Sequence, residues 1–183
     1  NSFGNIGWLR KLSLKNKRLK VIFGDLKDPD TFLDYLSKSD YVINLASLIS
    51  VPYSYSASKS YLENNILGCH FLYSSCKKLK IKKIIHISSS EVYGTPKKLP
   101  ITEHTIFNPQ SPYAASKAAA DFVAKSYFYS FNLPIIILRP FNNFGPKQSL
   151  RAVIPTIIDQ ALKGSEIKLG KVSTKRDFLY VSD

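Results

Sequence analysis

Short apolar runs alternate with amphipathic stretches along almost the whole 183-residue chain, and this alternation constrains the fold more than any other feature. Residues Leu19 to Phe23, Tyr41 to Ala46, Lys83 to Ile87 and Leu133 to Leu138 read as strands of a parallel sheet. Between them, Asp30 to Ser37 reads as a short helix opened by Asp28 or Asp30 and Pro29. Tyr61, Leu62, Asn65, Ile66, Cys69, Leu72, Tyr73 and Cys76 recur at helical spacing. Ser111 and Pro112 supply the N-cap and first residue of an alanine-rich helix running to about Tyr129. A helix over Ala152 to Leu162 and a strand over Glu166 to Leu169 complete the expectation. In such sheets ligands sit beyond the carboxyl ends of the strands, which directs attention to Asp25, Ser47, Ser88 to Glu91 and Asn142.

Charge and cysteine content narrow the function classes. The formal net charge is +13, concentrated at Arg10 to Lys20 and Lys77 to Lys83. The second cluster follows a helix, where lysines complement the macrodipole. Neither cluster carries the interleaved aromatics of a single-strand groove, so attraction of anionic substrates is expected rather than nucleic-acid binding. No apolar run approaches the ~18 residues that span a bilayer. Cys69 and Cys76 lie seven apart on one helix face and read as reduced core residues of a cytoplasmic protein. No residue is assigned to a metal.

The strongest local chemistry is Tyr113-Ala-Ala-Ser-Lys117. A tyrosine and a lysine at i and i+4 share a helix face, and an ammonium beside a phenol favours the phenolate. A phenolate near working pH is a competent general base for a substrate hydroxyl. Alone the pair is a weak signal, equally an exposed helix couple. Upstream, Ser88-Ser-Ser-Glu-Val-Tyr-Gly94 emerges from a buried strand, with a serine to orient the same oxygen and Gly94 providing positive φ.

A strand-end serine followed by a helix beginning Ser-Pro-Tyr-x-x-x-Lys resembles the active site of the short-chain dehydrogenase/reductase superfamily, and other motifs point to its extended branch. Gly24-Asp25-Leu26-Lys-Asp28 looks like the segment that contacts the adenine of NAD. Asn44-Leu45-Ala46-Ser47 is similar to the segment running beside the cofactor, and Asn65 stands where the family has a helix asparagine. Arg139-Pro140-Phe-Asn142-Asn-Phe144-Gly-Pro146 resembles the substrate-loop motif, and Arg176-Asp-Phe-Leu-Tyr-Val181 the motif whose arginine grips a diphosphate. Phe144 departs from a usual tyrosine, and Ser47 from a frequent alanine.

The resemblance implies a Rossmann-like, doubly wound α/β fold. Residues 1–150 would form an incomplete NAD-binding domain, and 151–183 would begin a smaller substrate-binding domain. It assigns Ser89, Ser90, Glu91, Tyr113 and Lys117 to catalysis. Asp25, Leu26, Leu45, Ala46, Ser47, Tyr113, Lys117 and Pro140 would hold the cofactor, and Asn142 and Arg176 the substrate. No Gly-x-x-Gly-x-x-Gly occurs: Gly4 and Gly7 are followed by Arg10. A βαβ unit of about 30 residues or more is therefore expected upstream. The residue that separates NAD from NADP is expected to lie there too.

Asn1-Ser-Phe…Gly7-Trp8-Leu9, Leu45-Ala-Ser-Leu-Ile…Pro52-Tyr-Ser-Tyr55 and Gln148-Ser-Leu-Arg-Ala-Val-Ile-Pro155-Thr look closest to UDP-N-acetylglucosamine 4,6-dehydratases of the legionaminic-acid type. For such an enzyme Tyr113 would take the 4-hydroxyl proton, with Ser89 orienting the oxygen. Glu91 would remove the proton on carbon 5 as water leaves carbon 6. Related dehydratases often carry Asp at the position of Ser90, so the general acid stays open among Ser90, water and Glu91. UDP-glucuronate decarboxylases share Ser-x-Glu-Val-Tyr-Gly, and 4-epimerases are the further rival. A non-catalytic nucleotide-binding module is the non-enzyme alternative. The resemblance also implies a homodimer, through the Tyr113-bearing helix and the 61–79 helix.

Overall fold

The computed structural model describes residues 9, 12, 15–164, 166–170 and 172–183. The expectations that rest on Gly4 and Gly7 lie outside them. The chain divides into two compact units, Lys20–Arg139 and Asn1–Leu19 with Pro140–Asp183.

The Lys20–Arg139 unit is built on a three-stranded parallel sheet in the order β1 (Tyr41–Asn44), β2 (Lys83–Ile87), β3 (Ile135–Leu138). Asn44 sits opposite His86, and Ile87 opposite Leu138. Before β1, Asp28 caps a short turn by accepting from the Asp30 amide, and helix α1 (Leu33–Ser37) follows. The helix expected from Tyr61 to Cys76 forms with a π turn inside it, and two short helices precede it. Helices α2 (Val51–Ser56) and α3 (Ser58–Tyr61) lead into a π turn, Leu62–Leu67, and then α4 (Gly68–Lys78). Helix α5 (Pro112–Phe131) begins as the sequence indicates, with the Ser111 hydroxyl accepting from the Ala114 amide at 3.0 Å. It ends at Asn132, which is left-handed and supplies the C-cap.

The core forms where α4 and α5 lie on one face of the sheet. Leu72, Tyr73 and Cys76 from α4 meet Ile84 of β2, Ala120, Ala124 and Tyr127 of α5, and Leu133. A smaller cluster joins Val92 and Tyr93 to Ala118. Ala114, Ala118, Ala120 and Ala124 are thus consumed by packing within the unit. On the strands Ile43, Ile136 and Leu138 remain exposed.

Two expected strands do not form. A strand exists through its ladder, and residues 19–23 pair with none of the three strands. Residues 166–169 also have no ladder, and Lys168 instead exchanges two hydrogen bonds with the Gln160 side chain, at 2.8 and 3.2 Å. In the other unit, β4 (Asn142–Phe144) pairs in parallel with β5 (Phe178–Tyr180), and helix α6 (Val153–Leu162) lies between them in sequence. Among the described residues no helix is long and apolar enough to cross a membrane.

Candidate active site

The carboxyl end of β2 delivers the serine-rich turn. Ser88 is buried, and Ser89 caps a single turn of 3-10 helix, Ser90–Tyr93, by accepting from the Glu91 amide at 3.2 Å. That turn fixes Ser89, Ser90 and Glu91 side by side, all half-buried. The turn ends at Gly94, whose φ of 58° fits the expectation of a positive-φ glycine. A Cβ at Gly94 would also collide with the carbonyl oxygen of Asn108, so the position is closed to other residues twice over.

Tyr113 stands in the first turn of α5 and faces this turn. Burial pushes its phenol above the ordinary value, the hydrogen-bonding Ser89 hydroxyl pulls it back, and the Glu91 carboxylate and Tyr61 push it up again. The sequence leads to the expectation that Lys117 lowers the Tyr113 phenol; the groups that set the phenol are those just named, and the Lys117 ammonium donates to the Ile87 carbonyl at 2.6 Å. Burial lowers the Lys117 pKa, while Cys69 and Asp121 raise it. Ser89, Glu91, Tyr113 and Lys117 therefore gather at one strand end, though with a protonated phenol. Such a tyrosine is a proton donor in this state and becomes a base only when its surroundings change.

Two neighbours set the Tyr113 ring. Tyr61 packs against it edge-on at 6.2 Å and 81°, with its own hydroxyl donating to the Ser50 carbonyl at 2.5 Å. Asn65, inside the π turn, donates to Ser116 Oγ at 2.9 Å, and Ser116 donates to the Tyr113 carbonyl at 2.7 Å. The same Asn65 amide exchanges hydrogen bonds with the Leu48 backbone, at 2.9 and 3.1 Å. It thereby links the loop after β1 to the helix that carries Tyr113.

A cavity of about 420 Å³ lies between that loop and the 22–26 segment. Asp25, Leu26, Ala46 and Ser47 line it, with Gly24, Phe32 and Asn64. Four of the residues assigned to the cofactor thus share one hollow. Leu45, also assigned, is 71% exposed and is not part of the lining. The Asp25 carboxylate accepts from the Lys27 amide at 2.9 Å and stays largely in solvent. A larger hollow of about 650 Å³ lies under the 95–108 loop, lined by Tyr93, Pro100, His104 and Phe107 among others, and none of the assigned residues lines it.

The remaining assigned residues belong to the second unit. The Asn142 amide donates to the Asp177 carbonyl at 3.2 Å, which places Asn142 beside the segment that begins with Arg176. Arg176 is exposed and donates to the Lys175 carbonyl at 2.9 Å. Pro140 is half-buried at the start of the same unit.

Sequence reasoning missed a buried polar set directly behind Lys117. Arg139 Nε donates to Asp121 Oδ2 at 2.7 Å, and Arg139 Nη1 reaches the Tyr93 hydroxyl at 3.1 Å. His86 Nε2 lies 3.4 Å from Asp121 Oδ1, and the Tyr73 hydroxyl meets His86 Nδ1 at 2.7 Å. The signal was present: Tyr113, Lys117 and Asp121 stand at i, i+4 and i+8 on one helix face.

All 183 residues match the family profile described as GDP-mannose 4,6 dehydratase. The chain belongs to that family. Among relatives of the GDP-mannose 4,6 dehydratase family, a dTDP-D-glucose 4,6-dehydratase of Dictyostelium discoideum is 36% identical over 184 residues. That alignment covers 93% of the chain and 42% of the relative. A dTDP-glucose 4,6-dehydratase from Streptomyces venezuelae, solved with NAD bound, superposes with a TM-score of 0.86 at 30% identity, covering 92% of this chain and 52% of that one. A UDP-N-acetylglucosamine 4-epimerase from Methanobrevibacter ruminantium superposes at 0.88 with 40% identity, covering 97% and 59%. The chain spans about half the length of the curated relatives it matches. These likenesses also carry the fold: the parallel sheet with its helices is the Rossmann-like architecture of those dehydratases and epimerases.

Proposed function

We propose that this chain carries the catalytic face of a nucleotide-sugar 4,6-dehydratase, with UDP-N-acetylglucosamine as substrate. The observation that supports the reading best is the convergence of Ser89 and Glu91 on the Tyr113 phenol. One hydroxyl orients a sugar oxygen, one phenol exchanges its proton, and one carboxylate stands ready for a carbon-bound proton nearby. The 40% identity to an enzyme named for UDP-N-acetylglucosamine supports the sugar. Glu91 favours dehydration over epimerisation in this reading, because a carboxylate beside the phenol can take the carbon-bound proton that elimination of water requires and epimerisation at carbon 4 does not.

The cavity beside Asp25, Leu26, Ala46 and Ser47 fits the adenosine end of a dinucleotide. It is partly apolar, lies past the carboxyl end of β1, and has the Asp25 carboxylate in its lining for a ribose hydroxyl. NAD, when bound, supplies reversible oxidation at carbon 4 of the sugar. The chain's own part is to hold and move protons. Tyr113 exchanges the proton on the 4-hydroxyl, Ser89 orients that oxygen, and Glu91 removes the proton on carbon 5. The general acid for the departing water stays open among Ser90, a bound water and Glu91 itself. Asn142 and Arg176 contact the nucleotide-sugar, the arginine through its diphosphate.

We assign the protein to the cytoplasm, where its two buried free thiols stay reduced, and to a homodimer through α5 and the 61–79 helix. Leu62, Leu67, Phe122 and Tyr129 are exposed on those elements and would be covered there. Light scattering on the purified protein tests the dimer.

Mass spectrometry of UDP-N-acetylglucosamine, incubated with NAD and the protein from its complete reading frame, tests the reaction. Loss of one water, abolished in Glu91→Gln, supports the dehydratase. A 4-epimer of unchanged mass, or carbon dioxide released from UDP-glucuronate, assigns the rival activity instead.

A further inference from the structure

Behind the candidate site, one acid is buried with two cations, of which Arg139 is its direct partner. Asp121 is fully buried and is the single buried carboxylate among the described residues. Lys117 is 4% exposed, and the Arg139 side chain 11%. Burying two cations with one anion is costly unless the geometry distributes that anion well.

The geometry does distribute it. Asp121 Oδ2 takes the Arg139 guanidinium at 2.7 Å, while that group also lies over the Phe107 ring at 4.8 Å and meets the Tyr93 hydroxyl. Asp121 Oδ1 instead faces β2, toward His86 Nε2 and Ser88 Oγ, and none of these three atoms has a well-directed hydrogen bond elsewhere among the described residues. Lys117 lies one helical turn before Asp121 and donates to Ile87, between His86 and Ser88 on the same strand. The other titratable group acting on Lys117 is Cys69, from α4. Burial raises the Cys69 thiol, so it remains neutral and leaves Asp121 as the anion. Tyr73, also packed on this set, is held as a neutral phenol by burial.

We propose that Asp121 is a positioning residue for the candidate site: its carboxylate clamps Arg139 and keeps Lys117 in the ammonium form, directed at the Ile87 carbonyl. The carboxylate is suited to this. Burial raises its pKa, but His86, Ser88 and Arg139 more than offset that and hold it ionised. Three elements meet at this residue: the strand end bearing Ser89, the helix bearing Tyr113, and the end of β3. The inference takes from the proposed function only that Lys117 belongs to the site.

The test is a titration of Lys117 in protein labelled with 13C-lysine, its signal identified by disappearance in Lys117→Met. Asp121→Asn should lower the Lys117 midpoint by about one pH unit or more, with the surface lysines unmoved. Asp121→Glu should restore most of it. An unchanged midpoint in folded Asp121→Asn, with folding checked by circular dichroism, overturns the proposal. Asp121→Ser repeats the measurement if the amide variant does not fold. Because the midpoint is read without substrate or turnover, it stands or falls apart from the identity of the reaction.

Discussion

Lys117 Nζ donates to the backbone carbonyl of Ile87 at 2.6 Å, tying the middle of α5 to the last residue of β2. The bond lies just upstream of Ser88 and Ser89, so it stands at the base of the turn that carries the candidate chemistry. Lys117→Met exchanges a buried cation for an apolar chain of similar length. Removing that charge relieves desolvation while leaving the Ile87 carbonyl short of one donor. The expected outcome is a shift in unfolding free energy within about 2 kcal/mol, measured by urea titration. Turnover should fall by about 100-fold or more. A variant that retained turnover would remove Lys117 from the site.

Asp121 gives the fold a pH dependence of defined sign. Its carboxyl is held below the ordinary range, so the unfolded state binds its proton more readily. Its contribution is present above the unfolded value of about 3.9 and is lost as pH falls through the lower folded value. Urea midpoints between pH 7 and pH 3 should decline more steeply for the wild type than for Asp121→Asn. At neutral pH, Asp121→Ala should cost about 3–5 kcal/mol, because it strands a buried guanidinium.

The thiols should be silent in the native state. Burial raises Cys69, and pushes Cys76 up to about 12, so neither presents a thiolate near neutral pH. A chromogenic disulfide reagent should label no buried thiol of the native protein and both after unfolding in guanidinium. Rapid native labelling of either would contradict the packing of α4.

Gly94→Ala should destabilise the protein by about 1–3 kcal/mol from backbone strain alone, with the Asn108 collision adding to it. Thermal unfolding measures the loss. Turnover should suffer as well, since the turn that places Glu91 ends at this residue.

Patterns carried by one element were legible in the sequence; those requiring two were not. β2 and α5 could be placed because a run of isoleucines, a Ser-Pro cap and an alanine-rich repeat are local signals. The run at 19–23 has strand composition, yet composition does not supply a ladder partner. Tyr113, Ser89 and Glu91 were recognisable as a set, whereas the turn of Lys117 toward Ile87 depends on how deeply the helix sits on the sheet. Asp121 escaped because a carboxylate in an alanine-rich helix ordinarily reads as solvated. Only its partners on β2 and after β3 reveal that it is buried.

The π turn at Leu62–Leu67 acts as a phase-setter for everything upstream of it. Each residue of an α-helix advances the side chain by about 100°, and a π turn holds one residue more than a regular turn. Deleting Ile66 would convert the segment to plain α-helix and rotate the preceding turn by roughly that angle. The core face from Cys69 to Cys76 would keep its aim, but Tyr61 would swing off the Tyr113 ring and Asn65 off Ser116 and Leu48. A single extra amino acid, unmarked by any motif, therefore determines whether one helix serves the core alone or the core and the Tyr113 ring together.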